Sequence, residues 1–255
     1  MATISITNTQ GVEMNTNVGL PQTWDNAHDE TTGGSLGTSN LSGTSQTVGP
    51  FYSGYGGGSY GINRVFLDFD LSGIPAGSTI TAATLKIYGA GFSPQHSFDT
   101  IATADLILLE GTFDSSIDTG DIDAFSGFQA GWDGTDSGII EYSAEYEASS
   151  WSTSGYNEIT IISDGVTALN NNFTGGDRFK VVVMEHDHDY HDNINGENGN
   201  AVDVNNDRFG VNFNINPSES NPPTLVVTYS PPPVLNEVKI VGGKLTLIGG
   251  NLTIK

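Results

Sequence analysis

The sequence predicts an all-β protein: an antiparallel β-sandwich of jelly-roll type, with one short helix and a C-terminal β-meander tail. Three observations carry this. Apolar and polar residues alternate with a period of two through several separate runs, the spacing of a strand with one buried face. Glycine is abundant, at 33 of 255 residues, and with proline it falls between those runs, where turns are needed. Only one stretch, beginning at Ser163-Asp164, has the start signal of a helix.

Taken in order, Ile4 and Ile6 predict a short first strand, and residues 11 to 61, rich in Gly, Ser, Thr and Asn, predict a long loop. Residues 62 to 88 are the stretch in which every local signal agrees. Val65, Leu67, Phe69 and Leu71 alternate with Phe66, Asp68, Asp70 and Ser72; Gly73, Pro75 and Gly77 then force a turn. Ile80, Ala82, Thr84, Lys86 and Tyr88 form the next alternating run, so the pair is either a hairpin or a crossing between two packed sheets. Ala104 to Glu110 predicts a buried strand, and residues 111 to 138 an acidic insertion with Phe125, Phe128 and Trp132 among its aspartates. Residues 139 to 151 alternate weakly. Asn157 to Ile162 predicts a strand, Ser163 onward one or two helical turns, and Arg178 to Met184 a central strand. Residues 185 to 207 predict a third long loop, Arg208 to Ile215 a strand, and Thr224 to Tyr229 the strand that closes a domain spanning 1 to 230. Pro231-Pro232-Pro233 is a stiff spacer. Beyond it, Gly-Gly pairs at 242-243 and 249-250 separate three short strands in residues 231 to 255. The assembly residues of this tail are Val238, Ile240, Leu245, Leu247, Leu252 and Ile254. A meander of this size buries too little to stand alone and must dock on something.

Two passages also carry a resemblance. Arg64 to Tyr88 (RVFLDFDLSGIPAGSTITAATLKIY) and the ending Asn221-Pro222-Pro223-Thr224-Leu225-Val226-Val227-Thr228-Tyr229 resemble the signature of DNRLRE-type β-sandwich domains. Those domains are similar to carbohydrate-binding modules and occur in secreted bacterial and archaeal proteins and in some phage structural proteins. The resemblance implies the sandwich and the short helix after residue 163. It does not fix a function, because such a sandwich hosts many.

Composition narrows the function further. Thirty acids against 8 basic residues give a net charge of -22, a surface that repels nucleic acid and anionic membranes. No segment approaches the roughly 18 apolar residues of a membrane span, so membrane insertion is not expected either. Cysteine is absent, and stability must come from packing and ions. The N-terminus lacks the basic and apolar regions of a signal peptide, and Met1 directly before a strand favours a natural start. The tail has three lysines against one glutamate, a charge of +2, which leaves -24 on residues 1 to 230.

The sequence offers three candidate sites. His186, His188 and His191 follow a strand directly; alternation puts the first two on one face, where imidazoles among carboxylates could hold zinc or a similar metal. Asp203, Asn205 and Asp207 resemble the opening of a calcium loop, without its glycine and final glutamate, so a structural Ca2+ is the expected cofactor. Trp24, Tyr52, Tyr55, Tyr60 and Trp132 are candidate aromatics for sugar rings or a neighbouring subunit. No nucleophile elbow, phosphate loop or outstanding carboxylate pair points to an enzyme. The expected function is therefore a non-enzymatic structural protein of a bacteriophage virion: a capsid decoration, fibre or tail-associated subunit. Its partners would be other virion proteins or copies of itself, in a homo-oligomer for which a trimer fits. The alternative is a secreted or cell-surface carbohydrate-binding module that takes host-surface glycans.

Overall fold

The computed structural model describes residues 1–16, 22–32, 35–37, 46–53, 58–92, 104–175, 178–194, 207–208, 210–233, 237–241 and 244–248. The fold is an all-β antiparallel sandwich. In one sheet the first half of β1 (Ala2–Asn15) pairs with β11 (Thr224–Ser230), β11 with β5 (Thr79–Phe92), and β5 with β7 (Tyr156–Thr160). In the other, the second half of β1 pairs with β4 (Ser59–Asp70), β4 with β8 (Arg178–Glu185), and β8 with β6 (Leu106–Glu110). A bulge between Asn8 and Gln10 lets β1 leave one sheet for the other. At the far end β10 (Val211–Phe213) joins β5 to β3 (Gln46–Ser53), and β3 pairs with β4, so the circuit of pairings closes on itself.

The stretch from Ile62 to Tyr88 is the crossing, not a hairpin. β4 and β5 belong to opposite sheets, and a 3-10 turn at Leu71–Gly73, capped by the Asp70 side chain, carries the chain between them. Val65, Leu67 and Phe69 enter the space between the sheets, facing Leu85, Ile87, Leu225, Val227 and Ile159, with Val181 and Val183 alongside.

One predicted loop is corrected, and a second is packed against a sheet. Residues 11 to 61 hold the end of β1, a five-residue helix α1 (Trp24–His28), β2 (Ser35–Gly37), β3 and the start of β4. The glycines there misled because at least one serves packing rather than a turn: a Cβ on Gly61 would lie 2.2 Å from the Phe51 ring. Residues 111 to 138 do lack regular strands, but they are not a free loop. Phe113, Ile117, Ile122, Phe125 and Trp132 cover the outer face of the second sheet at Val12, Met14, Phe66, Ile107, Val182 and Met184. That sheet is thus buried on both sides, which is why β4 is almost wholly inaccessible despite its alternation.

The predicted helix is α2 (Ser163–Gly175), 13 residues and longer than one or two turns. Val166, Leu169 and Phe173 face the core, while Asn170 accepts from the Ile80 N–H at 2.9 Å and donates to the Ile80 carbonyl at 3.0 Å, tying the helix to the start of β5. The strand predicted over 208 to 215 is shorter, β9 (Asp207–Arg208) and then β10. In the tail, β12 (Glu237–Val241) and β13 (Lys244–Ile248) form a hairpin; the third predicted strand, with Leu252 and Ile254, lies outside the described residues.

Candidate functional site

Strand β8 ends at Glu185, and the next five residues, His186–Tyr190, form a single π-helical turn. Glu185 causes it. Its buried carboxylate accepts from the N–H groups of Asp187 (3.1 Å), His188 (2.8 Å) and Asp189 (3.1 Å), and from His188 Nδ1 at 3.1 Å. The extended backbone that would put His186 and His188 on one face therefore does not continue past Glu185. Among the described residues the three histidines do not form a common ligand set. His188 is turned to Glu185, His186 to Asp187 at 3.1 Å, and His191 lies edge-on to the His186 ring with centroids 4.6 Å apart.

What the fold brings to His186 is a different set of acids. The outer edge of β6 pairs with the following segment through Leu106 and Tyr146, and the His186 N–H donates to the Asp105 carbonyl at 2.8 Å. Asp105, Glu145, Glu147, His186 and Asp187 thereby gather at one corner of the second sheet. Among the described residues, two overlapping sets have ligand atoms within 4.8 Å of one another: Glu145 with His186 and Asp187, and Asp105 with Glu145 and Glu147. The first offers a nitrogen and oxygens, suited to a borderline metal such as zinc; the second is all oxygen, suited to a hard ion such as calcium. Burial pushes the Asp105 carboxyl up to about 7; the Ala148 N–H opposes this, while Glu145 and Asp187 add to it. Sequence reasoning passed over Asp105, Glu145 and Glu147. For Asp105 the one signal was an acid at the threshold of an otherwise apolar strand.

The other sequence candidates fall elsewhere. Asp203 and Asn205 lie outside the described residues, and of Asp207 only the backbone pairing of β9 with Tyr52 is described. Trp24 and Trp132 are core residues, 6% and 0% exposed, and contribute no surface platform. Trp24 donates its indole N–H to Asp192 at 2.8 Å, and Trp132 stacks on His28 at 4.6 Å. Tyr52 and Tyr60 are half-buried and lean on each other at 4.8 Å; Tyr55 is outside the described residues. In the tail, Val238 pairs with Leu247 and Ile240 with Leu245, so by register these four share one face of the ladder.

Beside the acid cluster runs a second buried polar network that the sequence did not flag. Arg64, one of 8 basic residues, sits fully buried in β4 and donates through Nε and Nη2 to Asp189, through Nη1 to the Ile122 carbonyl, and through Nη2 to the His28 carbonyl. It fastens α1, the π-helical turn and the 111–138 insertion to the second sheet.

Compared with known proteins, the chain matches no family model and no curated protein. The likeness to DNRLRE-type domains accordingly rests on the residues of 64–88 and 221–229 alone.

Proposed function

We propose that this protein is a non-enzymatic structural component of a bacteriophage virion, a decoration, fibre or tail-associated subunit whose sandwich faces outward and whose C-terminal hairpin is the assembly element. The observation that carries the reading is the pairing of the tail. β12 and β13 lie beyond three prolines and, among the described strands, pair only with each other. Their register gathers Val238, Ile240, Leu245 and Leu247 on one face. A lone two-strand ladder is marginal in water, so an apolar face of this kind asks for a partner surface. The charge contrast supports a second copy of the chain as that partner: the tail is basic, and the rest is strongly acidic.

The test compares the full chain with one ending at Tyr229, by size exclusion with light scattering. The expected result is an oligomer for the full chain and a folded monomer for the shorter one. Two identical monomers would remove the hairpin as a self-assembly element and with it this reading. Genes for capsid and tail proteins beside this one would support the virion setting; genes for glycosidases or surface anchors would favour a secreted glycan-binding module instead.

A further inference from the structure

Three segments far apart in the chain meet at the start of β6. The His186 N–H donates to the Asp105 carbonyl at 2.8 Å, and Leu106 and Tyr146 exchange backbone hydrogen bonds at 3.0 and 2.8 Å, which brings Glu145 to the π-helical turn. His186 Nδ1 lies 3.1 Å from Asp187 Oδ1 and 3.9 Å from Glu145 Oε1, and the ligand atoms of the three side chains all lie within 4.8 Å of one another. A tetrahedral ion with arms of about 2.0–2.2 Å sets its ligand atoms about 3.3–3.6 Å apart, so the two nitrogen–oxygen spacings bracket that edge. A hydrogen bond from the ring accounts for Asp187 but not for Glu145, which stands beyond hydrogen-bond reach of Nδ1. Two of the three side chains are held in advance. The Asp187 N–H is anchored on Glu185 at 3.1 Å, the His186 ring stacks on Tyr190 at 5.5 Å, and both residues are buried. Glu145 is the exposed member and leaves an ion a way in from solvent.

We propose that Glu145, His186 and Asp187 bind one divalent transition-metal ion of the zinc class. The imidazole nitrogen decides the class, because calcium and magnesium take oxygen ligands whereas imidazole with carboxylates suits zinc. The overlapping set of Asp105, Glu145 and Glu147 is the poorer site. A calcium ion takes about six to eight oxygens. The three carboxylates here include two exposed glutamates, and Asp105 Oδ1 already accepts from the Ala148 N–H. Asp105 instead supports the zinc site from outside, through the carbonyl that holds the His186 backbone. Three protein ligands leave a fourth position for solvent. The ion ties the end of β8 to the segment that edges β6, a cross-link between residues 145 and 186–187 that backbone pairing alone does not make. This site is independent of the assembly reading of the tail.

The experiment uses the full-length chain, stripped of metal with a chelator and titrated with zinc chloride by calorimetry, with calcium chloride as the contrast. Zinc should saturate at one equivalent per chain. Free zinc at roughly a hundred times its dissociation constant should raise the melting temperature by about 5–10 °C, and calcium at the same concentration should not. Glu145→Gln changes an exposed side chain, so the fold is kept, and zinc affinity should fall by at least about tenfold. His186→Asn should lower it further; if that variant does not fold, Glu145→Gln decides. Two controls separate this set from its neighbours: His191→Gln and Glu147→Gln should leave zinc affinity unchanged. Absence of saturable zinc binding, or binding untouched by Glu145→Gln, would overturn the proposal. So would a loss in His191→Gln as large as in Glu145→Gln, the mark of an adventitious histidine site, or a calcium site that depends on Glu147.

Discussion

Arg64 and Asp189 meet as a two-point ion pair, Nε to Oδ2 at 2.9 Å and Nη2 to Oδ1 at 2.7 Å, with neither side chain exposed. Asp189 comes from the π-helical turn and Arg64 from the middle of β4, so the pair holds an irregular segment against the sheet. The fork geometry of arginine matches the carboxylate in a way a lysine ammonium does not. Removing one member leaves the other charged and buried. Arg64→Met should therefore cost about 3–5 kcal/mol of unfolding free energy, and Arg64→Lys should recover only part of it. Urea denaturation of the two variants is the check. A loss within about 0.5 kcal/mol of wild type, the range of ordinary surface substitutions, would mean the pair is not the fastening it looks like.

Asp105 gives a pH dependence of the opposite kind from a salt-bridged carboxylate. Burial raises its carboxyl from 3.8 to about 7. Between those values the folded chain holds a proton that the unfolded chain has released, so this group's contribution to stability falls as pH rises through the window. Asp105→Asn keeps an oxygen for the Ala148 N–H and removes the charge. It should match wild type at the acid end and be more stable, by on the order of 1–2 kcal/mol, above the upper value. Thermal melts across that range decide it, and a variant equally destabilised at every pH would refute the assignment.

The Trp132 indole lies at the centre of the second core, against Phe125, Tyr190 and His28. Trp132→Ala should cost about 3–5 kcal/mol, the range for emptying a large aromatic from a packed site. Because the insertion depends on this contact more than the sandwich does, limited proteolysis should cut within residues 111 to 138 before it cuts the strands. Cleavage spread evenly along the chain would contradict two separable layers.

Where β1 changes sheets, Gly11 passes the Ile215 carbonyl so closely that an added Cβ would lie 2.2 Å from the oxygen. That nearest obstacle is backbone and does not yield cheaply; the Asn8 Nδ2 side-chain atom follows at 3.0 Å. Gly11→Ala should destabilise by roughly 1–3 kcal/mol, the usual cost of overpacking. Gly120→Ala is the contrast, since its nearest obstacle is the Asp118 side chain at 3.1 Å, which can shift. Equal denaturation midpoints for the two would show that the crossing tolerates the bulk.

The sequence by itself determined the fold class, because a period of two is visible wherever a strand has one wet face or one core face. Val65, Leu67, Phe69 and Leu71 were legible as core, and so were Val211, Phe213 and Ile215. Local chemistry also marked the break at Gly73 and the helix start at Ser163. Only tertiary structure decided the rest. Whether β4 pairs with β5 or crosses to the other sheet depends on β8 and β11, which lie more than a hundred residues further along the chain. Whether Trp24 and Trp132 face water depends on an insertion folding over a sheet, and their identity alone is the same in a glycan platform and in a core. After β8 a single buried carboxylate, Glu185, coils the backbone, so that His186 stands with Glu145 and Asp187 instead of lying on one strand face with His188. Asp105 and Glu145 stand 40 residues apart in the chain and meet because Leu106 and Tyr146 share a backbone bridge. Periodicity is a property of neighbours along the chain. A site is a property of segments brought together, and backbone pairing and burial create that proximity only once the whole chain has folded.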